Sequence, residues 1–159
     1  MSYEPVVQAL ADAGVEFVLI GGWAAILHGS SFMTNDLDIC YCRRSDNVKR
    51  LAAILAPLHP RPRGFPAGLP FVWDAVTLRN STLFTLDTDA GEIDLLGEVS
   101  GVGDFEQVKA NSVVTSAFGR DIRILDLPAL IAAKRAAGRE KDLRVIPELE
   151  ALLEAQEPE

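Results

Sequence analysis

Positive charge is in deficit in this chain. Lys and Arg number 15 against 23 Asp and Glu, for a formal net charge of -8 over 159 residues. A sequence-independent nucleic-acid surface normally needs a basic face, so broad nucleic-acid binding is not expected. A local patch remains open: Lys134, Arg135, Arg139, Lys141 and Arg144 gather near the C-terminus, and Arg61 and Arg63 form a second cluster. Cysteine is scarce too. Cys40 and Cys42 alternate along one strand face, which suits neither a disulfide nor the usual zinc spacing. They read as small packed residues, and a reducing cytoplasm is the expected compartment. Long apolar runs are missing, since no stretch approaches the ~20 residues of a membrane helix. Met1-Ser2-Tyr3-Glu4-Pro5 has no basic start followed by an apolar stretch, so no export signal is expected.

What the chain has is enough apolar residue, 48%, to build a core. The expectation is one domain over 1–159, with an α/β core over 1–126 and C-terminal helices over 127–155. Val6, Val7, Leu10 and Ala13 have helical spacing, closed by Gly14. Glu16 to Ile20 and Leu37 to Cys42 read as strands. Between them a short helix starts at Gly22, followed by a turn over His28-Gly29-Ser30-Ser31. Ser45 or Asp46 is expected to cap a helix through Leu58. Prolines 60, 62 and 66 exclude helix and central strand, so 59–70 reads as a mobile loop. Thr82 to Leu86 and Gly91 to Leu96 form a hairpin around Asp87-Thr88-Asp89-Ala90. Ile122 to Leu125 is a last strand. Asp126 caps a helix that Gly138 ends, and 140–153 forms one kinked helix or two short ones. The tail from Glu154 to Glu159 is expected to fray. This order favours an α+β fold with a mixed sheet flanked by helices over an alternating doubly wound sheet.

Chemistry concentrates at two places. Val18-Leu19-Ile20 stops at Gly21-Gly22, where backbone amides can approach a phosphate without obstruction and a helix N-terminus follows. Asp36 and Asp38 lie two apart in an apolar strand, so both carboxylates share a face while Leu37, Ile39 and Tyr41 pack on the other. Such a pair repels unless a cation lies between, and a divalent metal that also holds nucleotide phosphates answers that. In Gly91-Glu92-Ile93-Asp94-Leu95-Leu96, Asp94 is flanked by apolar residues and is the better third carboxylate; Glu92 lies nearer the hairpin and more in solvent.

The pieces Leu19-Ile20-Gly21-Gly22-Trp23-Ala24-Ala25, His28-Gly29, Thr34-Asn35-Asp36-Leu37-Asp38-Ile39 and Glu92-Ile93-Asp94-Leu95-Leu96 resemble the nucleotidyltransferase superfamily, the fold of DNA polymerase beta. Small bacterial AbiEii-type toxin relatives are the nearest in pattern. Asp126-Leu127-Pro128-Ala129-Leu130-Ile131 through Lys134 to Gly138-Arg139-Glu140-Lys141-Asp142-Leu143 extends the resemblance over nearly the full chain. It implies that Gly21, Gly22 and Lys134 hold a nucleoside triphosphate. Asp36, Asp38 and Asp94 would bind Mg²⁺ or Mn²⁺, with Asp94 helping to activate the attacking hydroxyl. It also implies a toxin–antitoxin or defence setting with an antitoxin protein as a possible partner. The chain departs from the pattern at Trp23, where many members carry serine, and at Ser31-Phe32-Met33, where an arginine is frequent.

The expected function is metal-dependent transfer of a nucleoside monophosphate to a hydroxyl acceptor, which no motif identifies: a protein, a tRNA end and a small molecule are all open. The alternative is a module of the same fold that binds nucleotide or protein without turnover, which Trp23 and the missing arginine would suit. A calcium loop fails for want of the glycine and distal glutamate. An Asp-x-Asp glycosyltransferase leaves the glycine pair and Asp94 unexplained. His28 is assigned to structure, Phe71 and Trp73 to the core, and Arg139 and Lys141 to pairing with Glu140 and Asp142.

Overall fold

The computed structural model describes residues 2–156, and its fold is α+β. In chain order the elements are α1 (Glu4–Asp12), β1 (Phe17–Ile20), α2 (Gly21–Leu27), β2 (Asp36–Tyr41) and α3 (Ser45–Leu55). Then come β3 (Arg61–Pro62), α4 (Ala75–Arg79), β4 (Leu83–Thr88), β5 (Gly91–Leu96), β6 (Glu98–Val99) and β7 (Gly103–Asp104). The last are α5 (Phe105–Ala110), β8 (Ser112–Ala117), β9 (Arg120–Leu125), α6 (Leu127–Ala137) and α7 (Glu140–Gln156). Seven strands form one sheet in the order β3-β4-β5-β2-β1-β9-β8. β2 runs antiparallel to β1 and parallel to β5, so the sheet is mixed.

β2 is central because its sequence is apolar on one face and almost so on the other. Leu37, Ile39, Cys40 and Tyr41 are fully buried, and both cysteines are packed thiols as expected. Burial in the sheet pushes the Cys40 thiol up to about 12, so it is no nucleophile at neutral pH. His28 is structural: its Nε2 lies 2.8 Å from the Leu125 carbonyl oxygen.

Several boundaries move for local reasons. Ser45 is the first residue of α3 rather than its cap, and Arg44 stands at the cap position without a side-chain hydrogen bond. The anchor is Asn47, fully buried, which accepts from Glu16 N at 2.7 Å and donates to Cys42 O at 2.8 Å. The hairpin turn contracts to Asp89-Ala90, because Thr88 Oγ1 accepts from Ala90 N and donates to Gly91 O. The segment 59–70 is not a free loop. Arg61–Pro62 adds an edge strand to β4, where a proline is tolerated, and Arg63 N donates to Thr85 O at 2.8 Å. Trp73 packs against the core with its Nε1 on Ala52 O, while Phe71 stacks on Phe65 outside it.

Asp126 caps α6 through Ala129 N at 2.9 Å, and Gly138 ends it at φ +67. α7 is one helix with Pro147 inside it, reaching Gln156 where fraying was expected; residues 157–159 lie outside the described range.

Candidate functional site

The site sits where three strands and two helix ends meet. Ile20, the last residue of β1, pairs with Asp38, and Asp38 pairs in turn with Asp94 of β5. Asp36 is opposite Glu92 in the same ladder. Residues two apart on a strand share a face, so this register brings Asp36, Asp38 and Asp94 together, with one carboxylate oxygen of each within 4.8 Å of the others. Thr34 Oγ1 donates to Asp36 Oδ1 at 3.0 Å and orients it. The Tyr3 hydroxyl, within hydrogen-bond distance of the Asn35 and Glu92 carbonyls, ties the starts of β2 and β5 to α1.

The glycine pair has two different reasons. Gly21 sits at φ +64, and a Cβ there would overlap Asp38 Oδ2, so glycine is needed for both conformation and space. Gly22 makes room for Thr34: a Cβ would lie 2.5 Å from the Thr34 Cβ. Its open side is thus filled by protein, and only its backbone faces the cavity. Trp23 turns away from the site, packing edge-on against Tyr3 and Phe118.

Electrostatically the cluster is under-compensated. Burial, then the charges of Asp36 and Asp94, push the Asp38 carboxyl up to about 8. Its Oδ1 is buried without a hydrogen-bond partner. Burial also raises Asp94, while a hydrogen bond from Arg63 Nη2 at 2.8 Å pulls it back down. Two unit charges at the outer limit of 4.8 Å would repel by roughly 3 to 4 kcal/mol at an effective dielectric of ~20. An orphaned carboxylate oxygen inside a triad of hard oxygen ligands fits a divalent cation such as Mg²⁺ or Mn²⁺.

Opposite the acids stands a basic wall. Lys134, near the end of α6, and Arg139 converge on Asp142, whose side chain is 1% exposed. Arg139 Nε donates to Asp142 Oδ2 at 2.6 Å, and Lys134 Nζ lies 3.4 Å from Oδ1. Lys141 does not join that pairing but lines the cavity with Arg144. Between wall and acids lies a cavity of about 470 Å³ that also touches Gly22, Thr34, Phe32 and Met33. Its lip is clipped to α7: Glu148 accepts from Ser30 Oγ, from Ser31 Oγ at 2.5 Å and from Ser31 N at 3.1 Å.

Reading the sequence missed two residues here. Arg63 was assigned to a mobile loop, yet it reaches Asp94, the Leu86 carbonyl, and Glu92 at 3.7 Å. Asp142 was placed as one of several acids pairing nearby cations, and the alternation in Arg139-Glu140-Lys141-Asp142 holds no sign that it alone is buried.

No protein-family model and no curated protein sequence matches this chain. Solved structures do. A Thermotoga maritima protein assigned to the nucleotidyltransferases is 16% identical, with a TM-score of 0.59 over 92% of this chain and 91% of that one. The lincosamide antibiotic adenylyltransferase LnuA, bound to lincomycin, is 15% identical with a TM-score of 0.63, covering 96% of this chain and 98% of the other. ANT(2")-Ia in complex with adenylyl-2"-tobramycin is 15% identical with a TM-score of 0.55, covering 94% and 91%. The chain therefore has the nucleotidyltransferase fold over nearly its whole described length.

Proposed function

We propose that this protein is a metal-dependent nucleotidyltransferase that moves a nucleoside monophosphate from a nucleoside triphosphate to a hydroxyl acceptor. The observation that carries the reading is the convergence of Asp36, Asp38 and Asp94 around an unpartnered, buried Asp38 oxygen, on a fold shared with adenylyltransferases. Asp36, Asp38 and Asp94 would hold Mg²⁺ or Mn²⁺, which supplies charge neutralisation for the phosphates when bound. Gly21 and Gly22 open α2, with Gly22 lining the cavity, and Lys134, Arg139, Lys141 and Arg144 offer the triphosphate a cationic wall. Asp94 accepts the proton of the attacking hydroxyl; burial raises its carboxyl, which favours holding that proton, and the Arg63 hydrogen bond offsets part of the rise.

Two of the similar structures concern antibiotics, one bound to lincomycin and one to adenylyl-tobramycin, which supports a small-molecule acceptor here. A toxin–antitoxin setting and an antitoxin partner rest on the sequence resemblance alone. Among the described residues no helix is long and apolar enough to cross a membrane, in keeping with the proposed cytoplasmic setting. One observation favours a second reading. The Arg63 guanidinium already sits against Asp94, as a binding module that has lost turnover would allow. Incubation with each labelled triphosphate, Mg²⁺ and pools of hydroxyl acceptors separates the two. Pyrophosphate release that Asp36→Asn abolishes is the expected result, and nucleotide binding without release would overturn the transferase reading.

A further inference from the structure

Asp38 and Asp94 border two cavities whose linings differ. On one side is the 470 Å³ cavity with its basic wall. On the other is a cavity of about 280 Å³, which shares Asp38, Asp94, Lys134, Arg139 and Asp142 with the first and adds an apolar side of its own. The register explains that apolar side. Thr85 is opposite Asp94, and Leu83 is opposite Leu96, so the face that carries the acids turns hydrocarbon one step beyond them. α6 covers this surface with Leu130, Ala133 and Ala137, spaced to fall on one helix face. Leu83 remains 53% exposed beside it.

We infer that the acceptor is a compact organic molecule with a hydroxyl group beside Asp94 and an apolar body lying over Leu83, Leu96 and Ala137. The inference rests on the nucleotidyl-transfer reading and narrows its substrate class. Charge excludes a polycation. The carboxylates in this cavity are Asp38 and Asp94, which the metal requires, and Asp142, already saturated by Arg139 and Lys134. None is left for an ammonium group. Size disfavours a nucleic-acid end, and the two cations lining this cavity, Lys134 and Arg139, are already held by Asp142 rather than free for its phosphates. Thr85 offers the uncharged polar group across from Asp94 that orients a hydroxyl.

In the step itself the acceptor oxygen forms a bond to the α-phosphorus, and the bond from that phosphorus to the bridging oxygen breaks. Its electron pair leaves with pyrophosphate. The acceptor proton passes to Asp94 and then to water.

The test uses the full chain with Mg²⁺ and 2-naphthol, an apolar body with one hydroxyl, followed by fluorescence, and a pyrophosphate assay over apolar alcohols and phenols, tobramycin, tRNA and protein hydroxyls. The apolar class is expected to stimulate release. Ala137→Phe, at an exposed helix position, and Leu83→Arg are expected to raise the acceptor KM about tenfold and leave the triphosphate Kd within about twofold. Turnover on tobramycin, tRNA or protein instead, or an acceptor KM that neither variant moves, overturns the inference while transfer stands. Triphosphate binding with neither 2-naphthol binding nor stimulated release also overturns it. Absence of both triphosphate binding and release would show that the transfer reading itself has failed.

Discussion

Asp38 and Asp142 are both withdrawn from water in the same site, yet their carboxyls move in opposite directions. Asp38 has acids for neighbours and an oxygen without a partner, and it is pushed up to about 8. Burial pushes Asp142 up as well, but the Arg139 hydrogen bonds and the Lys134 charge outweigh it, and its carboxyl sits below the ordinary range. Burial alone therefore does not set the outcome; the partners do. A satisfied buried acid is a rivet, and an unsatisfied one among like charges is a socket.

The largest effect expected from breaking this contrast is on transfer. Asp38→Asn should lower the rate of pyrophosphate release by ~10³-fold or more, as loss of a charge-stabilising group at a reacting centre does. The metal-free protein should melt no lower than wild type, because a repulsive charge has been removed. Asp142→Asn should do the reverse in stability. Removing a carboxylate that binds two cations should cost about 2 to 3 kcal/mol, seen as a fall in melting temperature of roughly 4–10 °C. It should also raise the triphosphate KM as Lys134 and Arg139 lose their positions. Equal melting losses in the two variants would dissolve the distinction.

pH sharpens the comparison further. The folded Asp38 holds its proton up to about 8 while the unfolded group releases it near 3.8, so between these values the folded state binds more protons. Its contribution to metal-free stability therefore falls as pH rises from about 4 to 8. Asp142, lowered in the folded state, contributes above its unfolded value and loses that contribution only as pH falls through the acid range. Melting curves across pH should show the first slope in wild type and not in Asp38→Asn, and saturating Mg²⁺ should flatten it. The smallest effect belongs to Arg63→Ala. Freeing Asp94 from a half-buried guanidinium should tighten Mg²⁺ binding a few-fold by calorimetry, in keeping with the modest worth of such pairs.

The acid triad was legible because strand alternation is a local rule: Asp36, Asp38 and Asp94 each stand between apolar residues that must face the core. The caps were legible for the same reason, Asp126 and Gly138 acting within one turn. Arg63 was not, since its role depends on an edge strand of two residues, and prolines that exclude helix and central strand made the segment read as a loop. The stretch from Gly97 to Asp121 went unread although it holds the Asp104–Gln107 capping box of α5 and the β-branched run of β8. β8 is an edge strand with Val113 and Val114 exposed, so its pattern lacks the clean alternation of a half-buried strand. The different reasons for Gly21 and Gly22 could not be read at all. They depend on Asp38 and Thr34, which reach them only through the sheet and the loop before it.

The Glu148 clip on Ser30 and Ser31 spans 118 residues, and the basic wall belongs to the same late stretch of chain. A polypeptide emerging from the ribosome exposes its acids long before the helix that closes the cavity lip exists. The nascent molecule thus passes through a stage with the carboxylates made and the basic wall opposite them still to come. On the proposed reading, competence for nucleotide follows the acids and waits for the emergence of α7.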